Sequence, residues 1–374
     1  MPSKRLIVSY VLDWVVIIIL AAAGGGLNFT KPSTRPFSLL DLSISYPFKR
    51  ASISVTTLAL VALVAPAVII VLISAILVPG TRARTSSTRS QTIRRKIWEL
   101  HIGLIGLALS VALAFFVTQG LKNIFAKPRP HFIELCKPDL SNIASHRVGG
   151  YGQDISVRWT LVDSSICTET DSQKLADGYR SFPSGHCSFS WSGLLYLSLF
   201  LCSKFAIAIP YLSTQPTGHG GQIETARPVD VELLPLPATS SGERSKSPNW
   251  PATQPGAPSE SVPLYNQAAT PPNYGLILVL IPVAVATYIA STRYHEYWHF
   301  GFDVLSGSLI GILSAWFSFR WYHLPISRGQ GWAWGPRSRE RAFGIGVGVG
   351  NYVGPEGWDS GRSSTRRDVE AAAA

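Results

Sequence analysis

The stretch from Arg293 to Asp303, Arg-Tyr-His-Glu-Tyr-Trp-His-Phe-Gly-Phe-Asp, sets an arginine, two histidines and two acids between two long apolar runs. If a helix follows it, His299 and Asp303 are four residues apart and share a face. A carboxylate beside an imidazole fixes the ring's tautomer and raises its basicity. Charged groups at a membrane boundary are costly enough that such a cluster points to function. The same residues also spell His295-Glu296-Tyr297-Trp298-His299, the H-E-x-x-H pattern in which two histidines on one helical turn hold zinc and the glutamate acts as base. That alternative, an intramembrane metalloprotease, supplies no evident third ligand and sits at a helix boundary rather than inside a helix.

Two further groups of residues have chemistry-bearing types at regular positions. Lys122 precedes Lys127-Pro128-Arg129-Pro130, where the prolines end a helix and leave Arg129 on a rigid turn with Lys122 about two turns back. Farther on, Ser181-Phe182-Pro183-Ser184-Gly185-His186 stands directly before an apolar run. A proline, a cap-forming serine and a glycine before a helix leave backbone N–H groups free to bind an anion, helped by the helix dipole. His186 is at the edge of that anion site.

The elements that must position these groups are membrane helices. The chain has 374 residues, 46% hydrophobic and only 15% charged, with mean hydropathy +0.20, a composition that excludes an ordinary soluble protein. Six runs approach the roughly 20 residues a helix needs to cross a bilayer: 6–23, 55–78, 102–121, 187–209, 274–292 and 300–319. The expected fold is all-α, a polytopic bundle of six transmembrane helices. The first run is expected to be a retained anchor, and Asp13 within it to serve helix packing. The net charge of +11 lies in loops and tails, so it argues for no nucleic-acid partner. Arg82, Arg84, Arg89, Arg94, Arg95 and Lys96 precede the third run without an intervening acid, which places that loop in the cytoplasm by the positive-inside rule. Counting crossings from there brings Lys122, Arg129, His186, Arg293, His299 and Asp303 to the opposite face.

The expected organisation is helices 1 to 4 over 1–210 with a non-cytoplasmic catalytic loop at 122–186, a disordered cytoplasmic insert at 211–272, helices 5 and 6 over 273–325, and a disordered cytoplasmic tail at 326–374. The insert is rich in Pro, Ser, Thr, Gly and Gln without an apolar period. Cys136 and Cys167 share the catalytic loop, where an oxidising lumen would permit a disulfide, and they can equally stay free. Cys187 and Cys202 are expected to be apolar packing.

Lys122 with six residues before Arg129-Pro130, then Pro183-Ser184-Gly185-His186, then Arg293 with five residues before His299 and three more before Asp303, resembles the three-part signature of the type 2 phosphatidic acid phosphatase superfamily. That superfamily includes lipid phosphate phosphatases, glucose-6-phosphatase and vanadium haloperoxidases. The layout, with Asp41–Phe48 and Arg129-Pro130-His131-Phe132, is similar to fungal diacylglycerol pyrophosphate and lipid phosphate phosphatases. The resemblance covers roughly 5–325 except the insert, with one departure: Thr292 stands where the family usually has serine before the arginine. It implies hydrolysis of the phosphomonoester or pyrophosphate of lipids such as phosphatidate, diacylglycerol pyrophosphate and lysophosphatidate. By that resemblance His299 is the nucleophile, Asp303 orients it, and His186 is the acid and base. Lys122, Arg129, Ser184, Gly185 and Arg293 hold the phosphoryl oxygens, and no metal or cofactor is needed. The site would face the lumen or exterior at the vacuole, Golgi, endoplasmic reticulum or plasma membrane. A lipid-headgroup phosphotransferase would use the same residues.

Overall fold

The computed structural model describes residues 4–78, 88–156, 159–205, 207, 272–326, 332–337 and 342–343. The expected insert at 211–272 lies, but for its last residue, outside them, as do Arg82 and Arg84. The architecture is helical: α1 (Lys4–Phe29), α2 (Val55–Ile76), α3 (Arg89–Phe125), α7 (Gly185–Lys204), α8 (Asn273–His295) and α9 (Gly301–Tyr322) are its long elements. Between α3 and α7 come the short helices α4 (Phe132–Cys136), α5 (Gly152–Ile155) and α6 (Ser172–Gly178). Strands β1 (Phe37–Ser38), β2 (Arg147–Gly149) and β3 (Leu161–Val162) form a small antiparallel sheet in the order β1-β3-β2.

Five of the long helices, α1, α2, α3, α8 and α9, are long and apolar enough to cross a membrane. The sixth expected run, α7, is as long as a span requires but too rich in serine to match their hydropathy. Its position gives the physical reason. α7 packs against α2, α3, α8 and α9, and Ser188, Ser190, Ser192, Ser198 and Ser203 are all buried. A helix enclosed by other helices needs small and hydrogen-bonding residues rather than a lipid-facing surface. Ser110 of α3 donates to the Ser192 carbonyl at 2.8 Å, Thr118 of α3 meets Ser188 Oγ at 2.8 Å, and Ser198 donates to Val279 O in α8 at 2.6 Å.

Close approach is the other device that packs α7. α2 contains a π-helical turn at Leu60–Val64, and a Cβ on Gly193 would overlap the carbonyl oxygen of Ala62 there. Below this crossing, Ile70, Leu107, Val111, Tyr196, Phe200 and Phe319 form a core shared by α2, α3, α7 and α9.

α3 begins well before its apolar run. Thr88 and Gln91 form a reciprocal capping box, so Arg89, Arg94, Arg95 and Lys96 ride on the helix itself rather than in the expected loop. Beside them, at the same end of the bundle, the buried pair Glu99–Lys204 ties α3 to α7, and Ala333 N–H donates to Glu99. Arg337 pairs with Asp13 at 2.8 Å, so the acid in α1 anchors residues that follow α9.

At the opposite end, Phe37, Ile44, Phe132, Val162, Ile166 and Tyr179 build a second small core from the loops. A disulfide joins Cys136 to Cys167 beside it, while Cys187 and Cys202 are free thiols, Cys187 buried.

Candidate active site

α3 ends at Phe125 because Ala126 takes a left-handed conformation, φ 44°, and Pro128 and Pro130 forbid resumption. Lys122 is therefore on the last turn of α3. Among the described residues its ammonium makes no salt bridge or hydrogen bond, and it stands within 3.6 Å of where a Cβ on Gly185 would be. Arg129 is buried on the turn beyond. Its guanidinium is held by Asp177, through the carboxylate at 2.8 Å and the backbone carbonyl at 2.8 Å, and its plane lies over the Trp298 ring. Burial raises the Asp177 pKa, but Arg129 and Lys122 outweigh it and hold the carboxyl below its usual value.

Ser184 is the N-cap of α7, and its hydroxyl, fully buried, has no oxygen or nitrogen partner. The Ser184 N–H is taken by the Asp303 carbonyl at 3.0 Å, which joins the α7 entry to the start of α9. His186, in the first turn of α7, donates from Nε2 to the Ile53 carbonyl at 3.2 Å. The loop before α2 thus forms one rim of the site.

Arg293 lies in the last turn of α8 and is 1% exposed. Thr292 Oγ1 accepts from its guanidinium at 3.1 and 3.2 Å, so the threonine in the family's serine slot keeps a polar contact. Glu296 Oε2 pairs with Arg293 at 2.8 Å, and Glu296 Oε1 accepts the Ser52 N–H at 3.0 Å. α8 ends at His295 and Tyr297 has φ 59°, so His295 and His299 do not share a helical turn. His295 is exposed, His299 is 3% exposed, and the glutamate is committed to Arg293. This geometry breaks the H-E-x-x-H zinc arrangement.

His299 precedes α9, with Nδ1 at 2.6 Å from the carbonyl of Ser181. A carbonyl only accepts, so Nδ1 is the protonated nitrogen and the Nε2 lone pair is left free. Burial first, then the charges of Arg129 and Lys122, hold the His299 pKa well below the ordinary histidine value, opposed in part by the Ser181 carbonyl. A neutral, fixed imidazole ringed by cations can attack an anionic phosphorus centre.

Asp303, fully buried in the first turn of α9, does not hydrogen-bond to His299. Its carboxylate accepts from Lys127 at 2.9 Å, Ser181 Oγ at 2.6 Å and Phe300 N–H at 3.2 Å. All eight expected site residues thus come to one end of the bundle. Lys127, Asp177, Ser181 and Glu296 join them as partners that motif spacing does not single out. A weak signal for the two acids does exist in the sequence, since buried cations demand counter-charges nearby.

Comparison with known proteins gives the family of the chain. The family model described as PAP2 superfamily matches residues 103–326, which includes all eight expected site residues. Lipid phosphate phosphatase 1 of Arabidopsis thaliana is 23% identical over 321 residues, 86% of this chain and 70% of that protein. Diacylglycerol pyrophosphate phosphatase 1 of Saccharomyces cerevisiae is 25% identical over 315 residues, 84% of this chain and 80% of its own length. A probable diacylglycerol pyrophosphate phosphatase 1 of Schizosaccharomyces pombe is 25% identical over 297 residues, 79% of this chain and 74% of that protein. No solved structure gives a significant match. With the family model covering more than half of the chain and all three motif segments, the protein belongs to the PAP2 superfamily.

Proposed function

We propose that this protein is an integral-membrane lipid phosphate phosphatase that hydrolyses phosphatidate, diacylglycerol pyrophosphate or lysophosphatidate through a phosphohistidine. The observation that supports this most is His299, buried, with Nδ1–H engaged and Nε2 free, beside Lys122 and Arg129 and opposite the entry to α7. His299 Nε2 attacks phosphorus as the bond to the leaving oxygen breaks. His186 acts as the imidazolium when the anionic substrate is bound: Nε2–H stays on the Ile53 carbonyl, and the Nδ1 proton passes to that oxygen, leaving the ring neutral. The products of this half-reaction are the lipid alcohol, or phosphatidate from the pyrophosphate, and phospho-His299. His186 then takes a proton from water, which attacks phosphorus and releases inorganic phosphate from the ring.

The cations serve the charge that develops on the equatorial oxygens: Lys122, Arg129, Arg293 and the N–H groups opening α7 surround them, with Ser184 Oγ as a further donor. This set neutralises the phosphoryl group with fixed side chains. In this reading α7 is the fourth of six crossings. The basic residues at the start of α3 are cytoplasmic, and the site at its far end faces a lumen or the exterior.

The test uses purified full-length protein in detergent micelles, measuring phosphate release from the three lipids with and without EDTA and trapping acid-quenched phosphohistidine. Activity should survive the chelator, and His299→Ala should lose both turnover and the phosphoenzyme. Turnover by a folded His299→Ala protein would reject the mechanism.

A further inference from the structure

The polar network behind His299 has an order that the motif spacing does not suggest. Asp303 was expected to orient the imidazole directly, yet its two oxygens are spent on Lys127, Ser181 Oγ and the Phe300 N–H. The group that touches Nδ1 is the Ser181 peptide carbonyl. Ser181 is itself held from both sides: its hydroxyl by Asp303, its N–H by the Lys127 carbonyl at 3.0 Å. Lys127 closes the loop, with its ammonium on Asp303 and also 4.0 Å from the centre of the Phe300 ring, next to the nucleophile in sequence.

We propose that Lys127 and Ser181 are positioning residues for His299: the Lys127–Asp303 ion pair clamps Ser181, and the Ser181 carbonyl, not the Asp303 carboxylate, fixes the imidazole. The inference rests on the phosphohistidine reading and adds to it. A carboxylate bonded directly to Nδ1–H would favour the imidazolium, which has no lone pair with which to attack. A neutral carbonyl fixes the same tautomer without that full charge. Lys127 keeps Asp303 occupied, so the resting imidazole stays neutral. Asp303 remains one residue contact away when the N–P bond forms and the ring acquires positive charge.

The consequence of removing Lys127 has a definite sign. Asp303 would lose its counter-charge and be free to act on His299, raising the imidazole pKa. Protonated His299 cannot attack, so the acid limb of kcat/KM should move to higher pH. An unpaired carboxylate within about 4–6 Å of an imidazole shifts it by about 1 to 3 pH units, which sets the expected scale.

The experiment compares Lys127→Met, Lys127→Arg, Ser181→Ala and the double variant Lys127→Met/Ser181→Ala in the full-length protein. Read out are kcat and KM for phosphatidate across pH, the level of trapped phosphohistidine, and the melting temperature. Lys127→Met should raise the acid limb by about one unit or more and lower kcat, with KM little changed, and Lys127→Arg should recover most of both. Ser181→Ala keeps the carbonyl but loses the clamp, so it should shift the limb in the same direction by less. The double variant should be little worse than Lys127→Met alone, because both changes break one network.

An unmoved acid limb in folded Lys127→Met, a change in KM alone, or fully additive losses in the double variant would overturn the proposal. If Lys127→Met does not fold, Ser181→Ala decides: an unmoved limb there is equally fatal. Phosphohistidine trapped in the parent with no pH shift in any variant would leave the phosphatase reading standing and reject only the clamp. A parent that traps none would reject both.

Discussion

Gly307→Ala should disable the enzyme while leaving it folded, because α9 crosses the entry to α7 with no room for a methyl group. A Cβ on Gly307 would lie 2.5 Å from Ser184 O, where ordinary contact begins at 3.4 Å, so the Ser184 peptide must retreat by about 0.9 Å. That peptide is not free to retreat alone. Its carbonyl accepts from Ser188 N as the first intrahelical bond of α7, and the Ser184 N–H of the preceding peptide is bonded to Asp303 O. The shift therefore moves Ser184, Gly185 and His186 together relative to His299. A misplacement of about 1 Å in a reacting constellation costs on the order of 10²-fold in rate, or ~2.7 kcal/mol of barrier. Overpacking of one methyl costs about 1–3 kcal/mol of stability, which a bundle of this size tolerates. Gly311→Ala is the matched control, since its Cβ would meet Ser188 O at 2.5 Å and Trp191 Cβ at 2.6 Å, one turn deeper. Gly25→Ala, with nothing within 4 Å, is the neutral one. The assay is phosphate release from phosphatidate micelles, paired with thermal unfolding. Gly307→Ala and Gly311→Ala should lose similar stability, but only the first should lose about two orders of magnitude in kcat. A kcat for Gly307→Ala within threefold of the parent, or an equal loss at Gly311, would refute the reasoning.

His186→Ala should slow turnover by a factor on the order of 10² to 10⁴ on lipid phosphates and less on activated aryl phosphates, measured as the ratio of kcat for the two substrates. Glu296→Gln should lower the melting temperature by several degrees through the uncompensated Arg293, and inorganic phosphate should restore part of that loss as a replacement counter-charge. With His299 depressed below the ordinary histidine value of about 6.5, and protonation abolishing attack, kcat/KM should keep its plateau below that pH once the substrate's own ionisation is divided out; an acid limb at or above 6.5 contradicts this. Thiol-reactive labelling of a cysteine introduced at Gln173, which is exposed in α6, should occur only from the non-cytoplasmic side, and labelling from the cytoplasm would overturn the assigned sidedness.

The groups proposed to react are legible in the sequence because their spacing is tied to helix ends. His299 and Asp303 bracket the start of α9, Gly185 opens α7, and Lys122 is on the last turn of α3, all as the flanking prolines and apolar runs imply. The partners leave at most a weak signal. Glu296 looks in the sequence like half of a zinc motif, and only the left-handed Tyr297 and the bond to Arg293 give it its place. Asp177 pairs with Arg129 across 48 positions and Ser181 with His299 across 118, distances at which no local pattern carries information. α7 has the expected length but falls short of the other long helices in hydropathy, since a helix enclosed by other helices carries small polar contacts in place of lipid-facing side chains. The long α3 exceeded its apolar run at the N-terminal end because a cap, not hydrophobicity, decides where that helix begins.

The Cys136–Cys167 bridge ties the shape of the loop to the chemistry of its surroundings. It closes a segment with a separation of 31 residues, for which chain-entropy arguments give about 3–4 kcal/mol of stabilisation. The loop so closed includes β2, α5 and β3, and it leaves and re-enters next to Phe132 and the small core on which the Arg129 turn rests. With this end of the bundle on the lumenal or external face, as proposed above, a molecule inserted the other way would present the same two thiols to a reducing cytosol and leave that loop untied. Orientation in the membrane and integrity of the loop would then be proofread by one oxidation, with reductant sensitivity as its signature.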